Sequence, residues 1–89
     1  MYKSKYKCVT TVPVVLFNNT PYYINYHLYT LTRNSTVRDF VRSLSIKNKI
    51  PMDFLFLYAG NDLLNGDSEM GKLYDKYQDN ECLNLYLYL

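Results

Sequence analysis

The C-terminal segment of the sequence places a leucine at every second position. Leu83, Leu85, Leu87 and Leu89 alternate with Asn84, Tyr86 and Tyr88. Successive side chains of a β-strand point to opposite faces of a sheet, so this alternation predicts a strand with a leucine face and a tyrosine face. A leucine face must be buried against another layer. The strand therefore requires partner strands and an element that covers one side of the sheet.

One segment has the periodicity of a covering helix. Its apolar residues fall at positions i, i+3, i+4 and i+7, which form one stripe on a helix: Val37, Phe40, Val41 and Leu44. We predict a helix from Thr36 to about Lys47. Thr36 and Asp39 have the spacing of an N-terminal capping box. This stripe is the expected partner of the leucine face.

The remaining segments complete a small α+β domain. We predict strands at about 13–17, 22–32 and 54–58, a loop at 59–66 and a short second helix at 69–77. The order β-β-α-β-α-β gives a mixed four-stranded sheet packed on one main helix. We expect one domain over residues 9–89, with residues 1–8 as a flexible or edge segment. Tyr86 and Tyr88 would then point to a sheet face without a second layer.

Composition excludes several classes of function. The net charge of +2 is too small for a protein that binds nucleic acid by neutralising phosphates. His27 is the only histidine, and no catalytic, metal-binding or phosphate-binding motif surrounds it, so we expect no enzyme, metal or cofactor. Tyrosine supplies 11 of the 15 aromatic residues. This excess indicates either the drift of an AT-rich genome or a contact surface rich in tyrosine.

Several short segments, in their order along the chain, resemble the autophagy-related protein 12 family of ubiquitin-like β-grasp proteins. They are Asn19-Thr20-Pro21, Thr36-Val37, the strand 54–58 (Phe-Leu-Phe-Leu-Tyr) and the block 73–77 (Leu-Tyr-Asp-Lys-Tyr). The resemblance covers about residues 9–89. Tyr77 replaces a phenylalanine of the family, and the loop before this block lacks the family's prolines. Plain ubiquitin is also similar at Thr36-Val37, Ile50-Pro51 and Ala59-Gly60.

The resemblance implies a scaffold subunit rather than an enzyme. Members of the family are joined through a terminal glycine to autophagy-related protein 5. That conjugate, with autophagy-related protein 16, promotes the transfer of autophagy-related protein 8 onto phosphatidylethanolamine. The present sequence shows no such glycine after Leu89. We therefore expect a non-covalent complex with an autophagy-related protein 5 homologue. The expected location is the cytoplasm, with recruitment to autophagosomal or apicoplast membranes through partners and without direct membrane insertion.

Two regions are candidate partner-binding sites. The first combines the tyrosine face of the last strand with the loop after the third strand: Tyr58, Leu63, Leu64, Tyr86 and Tyr88. By resemblance, this region lies where the family contacts autophagy-related protein 5. The alternative for the two loop leucines is that they fold under the loop. The second region is Tyr29, the nearest match to an aromatic residue that in the family helps to recruit the E2-like autophagy-related protein 3. The alternative is that Tyr29 packs on the sheet.

Two other functions fit the same sequence features. One is an ordinary ubiquitin-like modifier whose C-terminal tail is truncated in this sequence. The other is a free-standing ubiquitin mimic that occupies ubiquitin receptors. A transcript that continues to a glycine would favour the first, and binding to generic ubiquitin receptors would favour the second.

Overall fold

The computed structural model describes residues 10–51, 53 and 55–89. Within them the chain forms five strands and two helices: β1 (Thr11–Asn18), β2 (Leu28–Thr32), α1 (Val37–Asn48), β3 (Phe56–Ala59), β4 (Asp62–Leu63), α2 (Met70–Tyr77) and β5 (Leu83–Tyr88). The predicted segment 1–8 lies outside the described residues. So does Phe54, with which the third strand was predicted to begin.

The strands form one mixed sheet in the order β2-β1-β5-β3-β4. β1 and β5 run parallel, and the other pairs are antiparallel. The prediction of four strands was wrong by one, because the expected loop 59–66 contains β4. Gly60 has a φ of 60°, a left-handed conformation that glycine adopts without steric cost, and it turns the chain so that Leu63 lies opposite Tyr58.

The core lies between the sheet and α1, as the two apolar patterns predict. The stripe of Val37, Phe40, Val41 and Leu44 is buried, and Leu83, Leu85 and Leu87 have no exposed surface. Leu89 was predicted to continue this row, but 49% of it is exposed. The last pair between β3 and β5 joins Phe56 to Tyr88, so Leu89 lies beyond the paired part of the sheet.

The start of α1 confirms the predicted capping box. The Thr36 hydroxyl accepts a hydrogen bond from the Asp39 amide at 3.2 Å, and the Asp39 carboxylate accepts one from the Thr36 amide at 3.2 Å. The hydrogen bond that the Thr36 backbone amide donates to the Asp39 carboxylate, followed by the contribution of the Thr36 side chain, lowers the pKa of Asp39 below its ordinary value. The box therefore fixes the residue at which the helix begins.

The second strand is shorter than predicted. It begins at Leu28 rather than near Tyr22, because the preceding segment is held as a loop. The Asn18 carboxamide oxygen accepts hydrogen bonds from the Thr20 amide at 2.9 Å and the Thr20 hydroxyl at 2.6 Å, and the Asn18 amide group donates to the Tyr22 carbonyl at 2.7 Å. Such a local side-chain network competes with strand pairing and overrides the β-propensity of the tyrosines.

The second helix is tied to the start of α1. Glu69, which precedes α2, forms an isolated antiparallel β-bridge with Thr36. The amide of Gly71 donates a hydrogen bond to the Arg33 carbonyl at 2.8 Å. The Arg33 guanidinium donates to the Gly71 carbonyl at 3.1 Å and to the Asp75 carboxylate at 2.7 Å. These contacts lie where β2 ends and α1 begins. The β1–β2 loop precedes β2, so it lies at the opposite end of the domain.

Candidate functional site

The face of the sheet that points away from α1 carries a continuous row of side chains across four strands. Phe17 of β1 lies opposite Tyr86 of β5, Tyr86 lies opposite Tyr58 of β3, and Tyr58 lies opposite Leu63 of β4. The next row pairs Phe56 with Tyr88. We call these six residues the aromatic face.

The rings of the aromatic face pack on one another. Phe17 and Tyr86 are stacked, with ring centroids 4.9 Å apart and an interplanar angle of 15°. Tyr58 and Tyr88 form an edge-to-face pair with centroids 5.3 Å apart and an angle of 86°. Pairs of these geometries stabilise the folded state by about 0.5–1.5 kcal/mol beyond the area that they bury. The rings are therefore held in place before any partner arrives.

The aromatic face is exposed and uncharged. Phe17, Phe56, Leu63 and Tyr88 are exposed, and Tyr58 and Tyr86 are half-buried. The strand residues that point to this side of the sheet are threonine, proline, valine, leucine, phenylalanine, asparagine or tyrosine, and none of them is charged. Large contiguous apolar surfaces of this kind mark sites of protein interaction or membrane contact.

The structure brings together four of the six predicted site residues. Tyr58, Leu63, Tyr86 and Tyr88 all lie on the aromatic face. Leu64 does not, because it is half-buried and packs against the core, and its amide donates to the Leu57 carbonyl at 2.9 Å. The alternative that this leucine folds under the loop therefore describes Leu64 but not Leu63.

Tyr29 lies on the other side of the sheet. Its ring packs edge-to-face on Phe40 of α1 with centroids 5.1 Å apart, and its hydroxyl donates to the Tyr26 carbonyl at 2.7 Å. Burial raises the pKa of the Tyr29 hydroxyl. Tyr29 also lines a cavity of about 220 Å³ with Phe40 and Lys47, next to the edge strand β2. The two predicted regions are thus separate surfaces.

Phe17 and Phe56 belong to the aromatic face but are not among the residues predicted from the sequence. The unbroken apolar run at 13–17 is typical of a fully buried strand, yet only Val14 and Leu16 of these residues are buried. The available signal was the period-2 alternation of the strands, because Phe17 follows the buried Leu16 and Phe56 precedes the buried Leu57. The missing information was the pairing register, which places both residues beside tyrosines of β5.

Two other kinds of feature are not found in the described part of the chain. Among the described residues, no group of three histidine, cysteine or acidic side chains is placed to hold a metal ion. Neither helix in that part of the chain is long and apolar enough to cross a bilayer. The aromatic face is a set of packed rings, and the hydroxyls of its tyrosines can donate hydrogen bonds at the rim.

Comparison with known proteins identifies the fold. No protein-family model matches the sequence, and no curated protein matches it. Solved structures do match, 221 chains in number. One is the crystal structure of the ATG8 protein of Trypanosoma brucei, with a TM-score of 0.77 and 20% sequence identity over 88% of this chain and 72% of that one. At this level of identity the similarity shows that the chain has a ubiquitin-like β-grasp fold, as the sequence predicted.

Proposed function

We propose that this protein is a ubiquitin-like subunit of an autophagy conjugation system, which binds a homologue of autophagy-related protein 5 non-covalently through the aromatic face. In that complex it promotes the lipidation of autophagy-related protein 8. The observation that carries the proposal is the uncharged row of Phe17, Tyr86, Tyr58 and Leu63 on a sheet face that none of the described elements covers. The resemblance of the sequence to the autophagy-related protein 12 family and the structural similarity to an ATG8 protein support the choice of pathway.

The aromatic face is large enough to anchor a stable complex. A standard protein interface buries roughly 800 Å² on each partner. An aromatic side chain contributes about 150–250 Å² of surface when fully buried, and the aromatic face has five rings, each already partly covered by its neighbours. Interfaces of this size derive most of their affinity from a few central aromatic residues. Tyr86 and Tyr88 are the expected anchors.

The absence of charge on this face predicts the chemistry of the partner surface. A charged partner residue would lose its water there without gaining an ion pair, which costs several kcal/mol. The complementary surface should therefore be apolar, with hydrogen-bond acceptors placed for the tyrosine hydroxyls. Binding should depend little on salt, because no phosphate-like or ionic contact is involved.

Tyr29 supports a second contact of the same subunit. The cavity beside it lies next to β2, an edge strand of the sheet, and edge strands accept extended peptides by hydrogen bonding. This is the place at which a segment of the E2-like autophagy-related protein 3 would bind in the proposed complex. Because Tyr29 and the aromatic face lie on opposite sides of the sheet, both partners can be bound at once. Autophagy-related protein 16 would join through autophagy-related protein 5, and the assembly would act in the cytoplasm on membranes reached through these partners.

Mass measurement tests the proposal. The chain is co-expressed with the autophagy-related protein 5 homologue of its host, and the purified complex is weighed in native and in denaturing conditions. We expect one native complex that separates into two masses on denaturation and that survives high salt. A single summed mass would show covalent conjugation, and the failure of a complex to form, together with binding to ubiquitin receptors, would identify a ubiquitin mimic instead.

A further inference from the structure

We propose that one end of the domain is a peripheral contact surface for an anionic lipid bilayer. This surface, which we call the tyrosine end, comprises Tyr22, Tyr23 and Tyr26 of the β1–β2 loop, with Lys47 and Lys49 at the end of α1 beside it. The contact is with lipid head groups and involves no segment that spans or enters the bilayer. It is distinct from the protein contact proposed for the aromatic face.

The tyrosine end holds two of the most exposed large apolar side chains among the described residues. Tyr23 is 79% exposed and Tyr26 is 71% exposed. Each of these values exceeds that of any residue of the aromatic face, where Leu63 is the most exposed at 57%. Single exposed apolar residues are ordinary on protein surfaces, but such a group at one end of a domain indicates a contact.

The topology places the β1–β2 loop beside the last turn of α1. β1 ends at Asn18 and β2 begins at Leu28, so the loop between them lies at one end of the sheet. α1 starts at the opposite end, next to Glu69, and runs back toward this loop. Lys47 lines the same cavity as Tyr29, whose hydroxyl is bonded to the Tyr26 carbonyl. The last turn of α1 and the β1–β2 loop are therefore neighbours.

The loop is held in one shape. In addition to the bonds made by Asn18, the Thr20 hydroxyl accepts a hydrogen bond from the Tyr22 amide at 3.2 Å, and the Leu16 amide donates to the His27 carbonyl at 2.8 Å. The backbone is thus fixed while the rings of Tyr23 and Tyr26 project into solvent. A preformed loop loses little conformational entropy when it binds.

The charges at this end favour an anionic surface. Lys47 and Lys49 lie in and just after the last turn of α1, and neither forms an ion pair among the described residues. No carboxylate occurs before Asp39, and that residue belongs to the capping box at the far end of α1. Asp53, in the connection to β3, is the one described acidic residue near Lys49 in sequence. The two lysines therefore outnumber the acidic residues in this part of the chain.

The chemistry matches a bilayer surface better than a protein groove. Tyrosine is enriched at membrane interfaces because its ring is apolar and its hydroxyl can reach water and head groups. Lysines next to such a surface are attracted to anionic lipid by about 1 kcal/mol each, which corresponds to roughly a fivefold change in binding. The tyrosine end is a projecting loop rather than a concave pocket, so a planar partner fits it.

A tryptophan reporter tests the proposal directly, since the sequence contains no tryptophan. Tyr23→Trp is mixed with vesicles of phosphatidylcholine and phosphatidylserine, and its emission is compared with that of Gln78→Trp, an exposed position after α2 at the opposite end. We expect a blue shift for Tyr23→Trp with phosphatidylserine vesicles, a smaller one with pure phosphatidylcholine, and none for Gln78→Trp. Absence of a shift at position 23, or an equal shift at both positions, would overturn the proposal.

Co-sedimentation of the full chain with the same vesicles separates specific contact from general electrostatics. Lys47→Glu with Lys49→Glu should reduce the bound fraction by about tenfold or more, and Tyr23→Ser with Tyr26→Ser should also reduce it. The matched control is Lys72→Glu with Lys76→Glu, which makes the same charge change on α2. An equal loss in the control would overturn the proposal. A photocrosslinking residue at position 23 is a further test, and a crosslink to a protein in place of lipid would also overturn the proposal. Loss of vesicle binding with an intact autophagy-related protein 5 complex would show that the two surfaces are independent.

Discussion

Gly71 provides a strict test of the packing between α2 and the rest of the domain. Gly71→Ala would be stabilising by helix propensity alone, by about 1 kcal/mol, because alanine is the better helix former. The structure predicts the opposite sign. A Cβ atom at this position would lie 2.8 Å from Arg33 Nε, 2.9 Å from Arg33 Cβ and 3.0 Å from Arg33 Cζ. Contacts under 3.0 Å require Arg33 to move.

Arg33 has little freedom to move. Its guanidinium is bonded to the Gly71 carbonyl at 3.1 Å and to Asp75 at 2.7 Å, and the closest carbon is Cβ, which moves only with the backbone. Overpacking of this kind costs about 1–3 kcal/mol. Because Arg33 Cβ cannot rotate away, the cost should lie in the upper part of this range, at about 2–3 kcal/mol. After the propensity gain of about 1 kcal/mol is subtracted, we expect Gly71→Ala to lower the free energy of unfolding by about 1–2 kcal/mol. For a domain of this size the midpoint temperature should fall by roughly 4–8 °C for each kcal/mol.

The assay is thermal and urea unfolding followed by circular dichroism. The matched control is Gly66→Ala, whose Cβ would meet only the far end of the Arg38 side chain, at 3.1 Å from a terminal nitrogen. That side chain is exposed and can swing aside, so the change should stay within about 0.5 kcal/mol. A Gly71→Ala protein as stable as the wild type, or more stable, would refute the packing argument.

The remaining predictions concern the core, the helix cap and the turn before β4. Leu85→Ala removes a side chain with no exposed surface and should lower the free energy of unfolding by about 2–5 kcal/mol in urea titrations, with a smaller loss refuting its central position. Thr36→Ala should cost about 1 kcal/mol in the same assay, because the Asp39 amide loses its acceptor. Since the pKa of Asp39 is lowered on folding, its carboxylate stabilises the fold above its unfolded pKa of about 3.9, and this contribution is lost as the pH falls through the folded value. Wild type and Asp39→Asn should therefore differ in stability at pH 7 and converge at low pH, once Asp39 is protonated in both the folded and the unfolded state, whereas a constant difference would contradict the cap. Gly60→Ala should cost about 1–2 kcal/mol through its left-handed φ of 60°, measured by thermal unfolding against wild type.

The sequence predicted those features of the fold that depend on local periodicity. The leucines of β5 recur with a period of 2 residues and the stripe of α1 with a period of 3.6 residues. Each period fits only one type of element, strand or helix, and specifies one buried face. The capping box was equally local. The segment before Leu28 was mispredicted because the tyrosines favour a strand, while the hydrogen bonds of Asn18, Thr20 and Tyr22 favour a loop. No propensity scale includes such a network.

The candidate site was only partly predictable for a different reason. Tyr86 and Tyr88 follow from the alternation in β5, so their face was known as soon as the leucines were placed. Phe17 and Phe56 join them only through the register of β1 and β3 on β5, which is a long-range property. Leu63 and Leu64 are adjacent in sequence, yet Leu63 lies on the aromatic face and Leu64 packs against the core.

The central claim is that the aromatic face binds the autophagy-related protein 5 homologue, and Tyr88→Ala tests it most directly. The affinity of this variant is measured by titration calorimetry beside Tyr23→Ala, which removes an exposed tyrosine from another surface. We expect Tyr88→Ala to weaken binding by about 2 kcal/mol or more, roughly 30-fold, while the domain remains folded and Tyr23→Ala binds as the wild type does. Equal affinities for the wild type and a folded Tyr88→Ala protein would contradict the account.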